Sequence, residues 1–289
     1  METTSSRKTY VITGATSGIG LSIAEQMAES GADVIGIGRS TERCQKAESS
    51  IRTNYPNVIV DYIVADLALQ SEVLKAAEGV CEILRRDGKT CLDGLVNNAG
   101  TFTYWLALTA EGFETQWAVN HLAAFRLTLE LLPLLQAAQT ARVVTVSSDS
   151  HYGARIDWED IQLRRCYNGL RAYGQTKLAN VLFTTELNLR LGAQSSVHAY
   201  AADPGLVKTE IGLKGTPGIV RWIWGLRRSG GISPAESARG IVTLLTDPSI
   251  QDSNSVYWKH GKPKTSSRAS LDTDTARRLW DLSENMCAI

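Results

Sequence analysis

The sequence predicts an α/β fold in which a mainly parallel sheet is covered by helices on both faces. Short apolar runs rich in β-branched residues alternate with helical patterns along the whole chain. This alternation is typical of parallel strands that are joined by helices. The apolar runs predict buried strands, so the helices are expected in two outer layers.

The first element is a strand that ends in the turn TGATSGIG, residues 13–20, and leads into a helix. Free backbone N–H groups and the helix dipole at such a turn favour a phosphate, and glycines let a pyrophosphate approach the backbone. The spacing Gly-x-x-x-Gly-x-Gly differs from the commonest dinucleotide fingerprint, Gly-x-Gly-x-x-Gly. Because glycine turns also serve packing, this turn alone does not establish a nucleotide site.

The later elements follow in alternation. Predicted strands occupy 32–37, 58–64, 92–96, 142–146, 197–201 and 256–258, and predicted helices 43–52, 71–86, 113–138, 172–191, 234–245 and 274–285. Pro133 is expected to kink or divide the long helix 113–138. Ligands bind at the carboxyl ends of parallel strands, so we expect one edge to gather the glycine turn, Arg39, Asp66, Asn98, Ser148, Pro204 and Gly205.

Length and composition indicate one globular domain over residues 1–289. The chain is 43% apolar and 21% charged, as in ordinary globular proteins, and no biased segment divides it. A formal net charge of zero does not support nucleic acid or an anionic membrane as the main partner. No apolar run reaches the length of a membrane span and the polar N-terminus lacks a signal region, so we expect a cytoplasmic protein.

The cysteines and histidines show no ligand pattern. Five cysteines without metal-type spacing are expected to be reduced thiols, and no metal site is expected. His121 is expected to be packed in the long helix rather than to act in catalysis. Asp203 is expected to order the turn before Pro204.

Tyr173 and Lys177 lie four residues apart on the helix after the fifth strand, and therefore on one helical face. A nearby ammonium group is expected to lower the pKa of the tyrosine, so that Tyr173 exchanges protons at neutral pH. The Ser148 hydroxyl would hydrogen-bond a substrate oxygen beside it. The alternatives are a solvated Tyr–Lys pair and a Ser–Ser strand end that satisfies local backbone groups.

Six motifs resemble those of the short-chain dehydrogenase/reductase family in order and approximate spacing. They are TGATSGIG, NNAG at 97–100, the Asn of WAVNHLAAF at 117–125, VTVSS at 144–148, YGQTK at 173–177 and PGLVKT at 204–209. The resemblance spans Tyr10 to about Trp280. Residues 171–187, the long connection between Ser148 and Tyr173, and the ending TARRLWDLSE are similar to the retinol-dehydrogenase-like branch.

The resemblance implies a single-domain, three-layer Rossmann fold with a seven-stranded sheet. It also implies a catalytic tetrad, Asn120, Ser148, Tyr173 and Lys177, in which Lys177 also binds the nicotinamide ribose and Asn120 holds a water. Many retinol dehydrogenases carry an apolar N-terminal anchor, whereas this sequence begins almost at its first strand. We therefore expect a soluble carbonyl reductase rather than a membrane enzyme of retinoid oxidation.

The end of the second strand favours NADP(H) as the cofactor. Enzymes that prefer NAD carry a carboxylate there, whereas this chain has Gly38 followed by Arg39, whose guanidinium suits a phosphate. The expected cofactor-binding residues are Gly14, Thr16, Ser17, Gly18, Ile19, Gly20, Arg39, Asp66, Leu67, Asn98, Ala99, Gly100, Tyr173, Lys177, Pro204, Gly205, Val207 and Thr209. The predicted reaction interconverts a ketone or aldehyde with its alcohol. The alternative is a non-catalytic NADP(H)-binding redox sensor or scaffold of the same fold.

The substrate is expected to be lipophilic or aromatic. A Trp-rich segment around 206–232 is interpreted as a lid over the nicotinamide side of the cleft. The expected substrate-contacting residues are Ser148, Tyr152, Tyr104, Trp105, Trp222 and Trp224. A contact between subunits of a homo-oligomer, or a helix that rests on a membrane surface, would explain the same segment.

Overall fold

The computed structural model describes residues 7–205, 232–250 and 253–288. Its strands are β1 Thr9–Thr13, β2 Asp33–Gly38, β3 Val60–Val64, β4 Gly94–Asn97, β5 Ala141–Val146, β6 Val197–Asp203, β7 Tyr257–Lys259 and β8 Lys262–Pro263. They form one sheet in the order β3-β2-β1-β4-β5-β6-β7-β8. All neighbours are parallel except β7 and β8. The described sheet therefore adds a two-residue antiparallel strand to the seven strands expected.

The α-helices of the described residues are α1 Gly18–Glu29, α2 Thr41–Asn54, α3 Gln70–Arg86, α4 Thr115–Trp117, α5 Ala123–Gln136, α6 Gly169–Leu191, α7 Pro234–Thr246 and α8 Thr273–Cys287. Polar side chains cap the N-termini of several of these helices. Ser233 accepts a hydrogen bond from Glu236 N at 3.1 Å before α7, and Asp272 accepts from Asp274 N and Thr275 N before α8. Such caps satisfy backbone donors that have no partner inside the helix.

The two faces of the sheet carry separate hydrophobic cores. Val11, Leu95 and Val143 pack in one cluster with α3, α5, α6 and α8. Their strand neighbours point the other way, and Ile12 and Val96 pack in a second cluster with α1 and α7. Alternate residues of each central strand are therefore buried on opposite faces, as the apolar runs predict. This arrangement confirms the predicted fold class.

The predicted long helix 113–138 is not uniform. A five-residue π-helical turn, Ala118–Leu122, separates α4 from α5, and α5 continues through Pro133 to Gln136. Pro133 was expected to kink or divide the helix, and it does not divide it. It lies in the last turn of α5, where its missing N–H removes a single helical hydrogen bond. The irregularity lies at Asn120 instead, and π-turns inside helices are frequent at functional sites.

The segment Thr115–Gln136 is the one described helical stretch long and apolar enough to span a membrane. Within the most apolar 18 residues of this stretch, 61% are buried inside the protein. Phe125, for example, packs against Phe183 and Trp280 at ring-centroid distances of 5.5 and 5.0 Å. These contacts are those of a core helix.

Candidate active site

The glycine turn after β1 leaves backbone donors at the start of α1. Gly14 and Gly18 have φ angles of 66° and 56°, a backbone conformation that favours glycine. Ser17 precedes α1 but its side chain caps none of the first N–H groups. These N–H groups lie at the positive end of the helix dipole, so the turn fits an anionic group such as a phosphate.

The NNAG turn after β4 packs directly on the glycine turn. Asn98 Nδ2 donates to Thr13 O at 2.9 Å, and the backbone N–H groups of Asn98 and Ala99 both donate to Thr13 Oγ1 at 2.9 Å. A side chain at Gly14 would lie 3.0 Å from Asn98 Nδ2. The structure thus joins two predicted motifs into one surface.

The end of β2 has no room for a side chain at Gly38. A Cβ atom there would lie 2.4 Å from Thr16 Cγ2, in the glycine turn, and 2.9 Å from Cys44 Sγ. Arg39 is exposed, and no hydrogen bond or ion pair joins it to another described residue. Asp66, also exposed, accepts a hydrogen bond from Ala68 N at 3.1 Å. Leu67 beside it is buried.

Tyr173 and Lys177 lie in the first turns of α6, which Asn168 caps by accepting from Leu170 N and Arg171 N. Lys177 is 4% exposed, and its Nζ donates to Val146 O at 3.0 Å. The same Nζ lies 5.4 Å from the centre of the Tyr173 ring. The pair is therefore held against the end of β5 and is not the solvated pair of the alternative interpretation.

The two serines after β5 have different partners. Ser147 is buried, and its Oγ donates to Lys177 O at 2.7 Å. Ser148 Oγ accepts from Ser150 N and donates to Ser150 Oγ, both at 3.2 Å, and Ser148 lies close enough to Tyr173 to act on the pKa of its phenol. Ser147 therefore anchors α6 to the sheet, whereas Ser148 lies beside the phenol.

Asn120 lies in the π-helical turn and joins three segments. Its Oδ1 accepts from Thr101 N at 2.7 Å, and its Nδ2 donates to Thr101 O at 3.0 Å and to Thr176 Oγ1 at 3.1 Å. The residue is 1% exposed. The wider turn presents Asn120 to the segment after NNAG and to α6, so the four predicted catalytic residues gather at one edge of the sheet.

The electrostatics of the pair differ from the sequence expectation. Burial raises the pKa of Tyr173 to about 12; the Asp203 carboxylate adds to this, and the neighbouring Ser148 hydroxyl opposes it. Burial lowers the pKa of Lys177 to about 8, although Asp203 acts to raise it. The expectation that Lys177 lowers the pKa of Tyr173 was therefore wrong, because burial of the phenol dominates.

Sequence reasoning missed several residues of this site. Phe102 packs edge-to-face on Tyr173 at 6.0 Å between ring centres, and Thr101 and Thr176 hold Asn120. Asp203 orders the turn as predicted, with Gly205 N donating to its Oδ1 at 2.8 Å, but its influence on Tyr173 was not foreseen. The only available signal was the position of these residues next to recognised motifs.

The predicted substrate-contacting residues are not equally placed. Tyr104 and Trp105 stack edge-to-face at 4.9 Å, and Trp105 is 67% exposed. Tyr152 donates its hydroxyl hydrogen bond to Thr265 O and lies under Lys264, so its polar end is occupied. Trp222 and Trp224, the cofactor candidates Val207 and Thr209, and nearly all of the predicted lid lie outside the described residues.

A family model described as short chain dehydrogenase matches residues 8–217. The chain belongs to the short-chain dehydrogenase/reductase family. This oxidoreductase is 33% identical to retinol dehydrogenase 14 of Homo sapiens, over 98% of this chain and 87% of that protein. It is 35% identical to human retinol dehydrogenase 13, over 94% and 82%. These relatives confirm the retinol-dehydrogenase-like branch.

Solved structures agree with this family. An uncharacterized protein from Mycobacterium paratuberculosis superposes with a TM-score of 0.72 at 35% identity, over 97% of this chain and 93% of that one. A short-chain dehydrogenase from Sphingobium yanoikuyae in complex with NADPH has a TM-score of 0.65 at 25% identity, over 96% of each chain.

Proposed function

We propose that this protein is an NADPH-dependent oxidoreductase that interconverts a lipophilic or aromatic ketone or aldehyde with its alcohol, with Tyr173 as general acid and base. The observation that carries the proposal is the meeting of Tyr173, Ser148, Lys177 and Asn120 beside the glycine turn. Relatives named as retinol dehydrogenases, and the half-buried Tyr104 packed against the exposed ring of Trp105, support a lipophilic substrate.

In this proposal the bound nicotinamide supplies or accepts the hydride. The glycine turn holds the pyrophosphate, and Asn98 and Pro204–Gly205 border the remainder of the cofactor site. A pKa of about 12 keeps Tyr173 protonated at neutral pH, so the phenol is ready to give its proton to a substrate oxygen. Ser148 orients that oxygen, because its hydroxyl lies beside the phenol.

Lys177 and Asn120 restore the proton in this scheme. A side chain at Gly100 would lie 3.5 Å from Asn120 Oδ1 and 3.9 Å from Lys177 Nζ, so the two polar groups flank one glycine. With a pKa of about 8, Lys177 exchanges protons close to neutral pH. Asn120 would hold the water that connects Lys177 to solvent.

The test is Tyr173→Phe, assayed for NADPH oxidation with a panel of lipophilic carbonyls. We expect kcat/KM to fall by about 10²–10⁴, the usual contribution of a general acid, while NADPH binding, measured by fluorescence quenching, is unchanged. Tyr10→Phe is a matched control. Burial also raises the pKa of Tyr10 to about 12, but Tyr10 lies in β1 among core residues.

Residual activity above a few per cent in Tyr173→Phe would contradict the role of Tyr173. NADPH binding without turnover by the wild type on the whole panel would favour the non-catalytic sensor or scaffold instead. Equal losses in Tyr173→Phe and Tyr10→Phe would indicate a folding defect rather than chemistry.

The preference for NADPH is tested separately at Arg39. We expect wild type to favour NADPH over NADH by about tenfold or more in kcat/KM, as one charged hydrogen-bonded pair provides, and Arg39→Ala to lose this preference. Arg43→Ala removes a charge from the first turn of α2 and should retain it. Gly38→Asp is unsuitable as a switch, because its Cβ would displace Thr16. A wild type that prefers NADH would overturn the cofactor assignment alone.

A further inference from the structure

Asp203, the last residue of β6, joins two segments of the proposed active site. It is 5% exposed. Its Oδ1 accepts from Gly205 N at 2.8 Å, and its Oδ2 accepts from Asp149 N at 3.2 Å. Asp149 follows Ser148 directly, and Gly205 belongs to the turn after β6. One carboxylate therefore fixes the residue after Ser148 relative to that turn.

Two lysines balance the charge of this carboxylate and of its neighbour. Lys259, on β7, places Nζ 3.2 Å from Asp203 Oδ2 and also donates to Asp149. Lys264 Nζ lies 2.8 Å from Asp149 Oδ1, and Tyr257 donates to the same oxygen at 3.0 Å. The cluster thus contains two carboxylates and two ammonium groups, drawn from segments more than fifty residues apart in the chain.

We propose that Asp203, balanced by Lys259, is a positioning residue that sets the charge experienced by Tyr173 and Lys177 and so biases the site toward a protonated tyrosine. The proposal rests on the proposed function for its catalytic meaning. Its electrostatic part concerns the folded protein alone and is measured without any substrate.

The ionisation of the pair supports the proposal. Val146, whose carbonyl accepts from Lys177 Nζ, pairs in the sheet with Ala202, the residue before Asp203. Asp203 therefore lies at the strand ends where Lys177 is held, and its carboxylate raises the pKa of both Tyr173 and Lys177. The other titratable groups around Asp203 are Asp149, His151, Tyr257, Lys259, His260 and Lys264. Burial lowers the pKa of His151, which keeps this imidazole neutral, and Asp149 is neutralised by its two lysines. Asp203 is therefore the group whose removal changes the pair most.

The experiment follows the ionisation of Lys177 by NMR in protein labelled with ¹³C at lysine Cε, with Lys177→Met to assign the signal. Wild type should titrate with a midpoint at about pH 8. Asp203→Asn should move this midpoint to lower pH, because the carboxylate that favours the ammonium form is gone. Lys259→Met should move it to higher pH, because Asp203 then acts without its counter-charge.

The controls come from a similar pair at the opposite edge of the sheet. Asp33 is 3% exposed and lies beside Lys89, so Asp33→Asn and Lys89→Met alter a buried carboxylate–lysine pair of the same kind. Both should leave the Lys177 midpoint at its wild-type value. A second readout is the pH profile of alcohol oxidation, whose basic limb should shift in the same directions as the NMR midpoint.

Opposite shifts in Asp203→Asn and Lys259→Met support the proposal. An unmoved midpoint in both variants, or shifts in the same direction, would overturn it. A merely structural perturbation would not shift the midpoint in a direction that depends on the sign of the charge removed. If Asp203→Asn does not fold, Lys259→Met alone decides: a midpoint moved to higher pH supports the proposal, and an unmoved or lower midpoint overturns it. Opposite shifts in a protein that turns over no carbonyl would retain this inference while rejecting the proposed function.

Discussion

Asp33 begins β2, on the side of the sheet where the parallel strands start, and Asp203 ends β6, on the side where they end. We call these two sides the amino edge and the carboxyl edge of the sheet. Both carboxylates are at least nine-tenths buried and lie beside a lysine. Asp33 accepts from Ile59 N at 2.7 Å, and its partner Lys89 also donates to Thr9 Oγ1 and Arg7 O. Asp33 is thus held by residues that precede β1 and β3 and by Lys89 after α3, whereas the backbone partners of Asp203 lie in two segments of the proposed active site.

The difference shows how position on the sheet separates stability from function. Ligands of parallel sheets bind at the carboxyl ends of the strands, so a charge at the amino edge lies on the far side of the core. The Asp33 pair is therefore expected to contribute to folding alone. The Asp203 pair is expected to contribute to the ionisation of Tyr173 and Lys177, and its more exposed lysine makes it the weaker support of the fold.

The largest effect is expected from removing the lysine at each edge. Among the described residues, Lys89→Met leaves Asp33 with only the half-exposed Arg7 as an ionic partner, and it also removes the hydrogen bonds to Thr9 Oγ1 and Arg7 O. Loss of one partner from a buried pair costs about 3 kcal/mol or more. Lys259 is 29% exposed, so water reaches the position of its ammonium group and partly replaces it beside Asp203. We therefore expect Lys259→Met to cost less, about 1 kcal/mol. Urea denaturation measures both values.

The activity of the same variants should reverse this order. Per folded molecule, Lys89→Met should retain the kcat/KM and pH profile of wild type, while Lys259→Met should alter the pH profile. If Lys259→Met proved the more destabilising variant with an unaltered profile, the division between the two edges would be incorrect.

A smaller effect distinguishes the edges by its sign. Burial alone would raise the pKa of Asp149, but hydrogen bonds from Lys259 and Lys264 outweigh it and hold the pKa well below 3.8. Its stabilising contribution is complete above the unfolded value and is lost as pH falls through the folded value. At the amino edge, burial raises the pKa of Asp93 despite its hydrogen bond from Thr9 N, so the ionised form is disfavoured by folding.

Asp149→Asn should therefore destabilise the protein at about pH 7, whereas Asp93→Asn should be neutral or stabilising, since Asn keeps an acceptor for Thr9 N. The Asp93 difference should vanish as pH falls below the unfolded pKa of aspartate. The Asp149 difference should begin to shrink there and be lost only as pH approaches its lower folded pKa. Thermal denaturation between about pH 7 and about pH 3 measures the two trends. If both variants destabilised the protein at pH 7, or both stabilised it, the opposite effects assigned to the lysines around Asp149 and to burial of Asp93 would be incorrect.

Local spacing alone predicted much of this protein. Strand–helix alternation predicted the doubly covered sheet, because buried parallel strands must be apolar on both faces. The four-residue spacing of Tyr173 and Lys177 placed them on one face of α6, and the glycine turn and NNAG lay at strand ends. These features depend on residues that are close in sequence, or on motifs that can be compared with a family without knowledge of the tertiary contacts.

Tertiary structure decided what depends on burial and on distant partners. The π-turn at Asn120 is held by Thr101 and Thr176, 19 and 56 residues away along the chain, and helical periodicity contains no sign of it. The pKa of Tyr173 is raised, whereas the sequence predicted a lowered value. Desolvation depends on everything packed around the phenol, and the four-residue spacing of Tyr173 and Lys177 contains no information about it. Asp203 and Lys259 meet only because β6 and β7 are neighbours in the sheet. The sequence by itself therefore determined the fold class and predicted the reacting groups, and only the folded chain determined the charge that surrounds them.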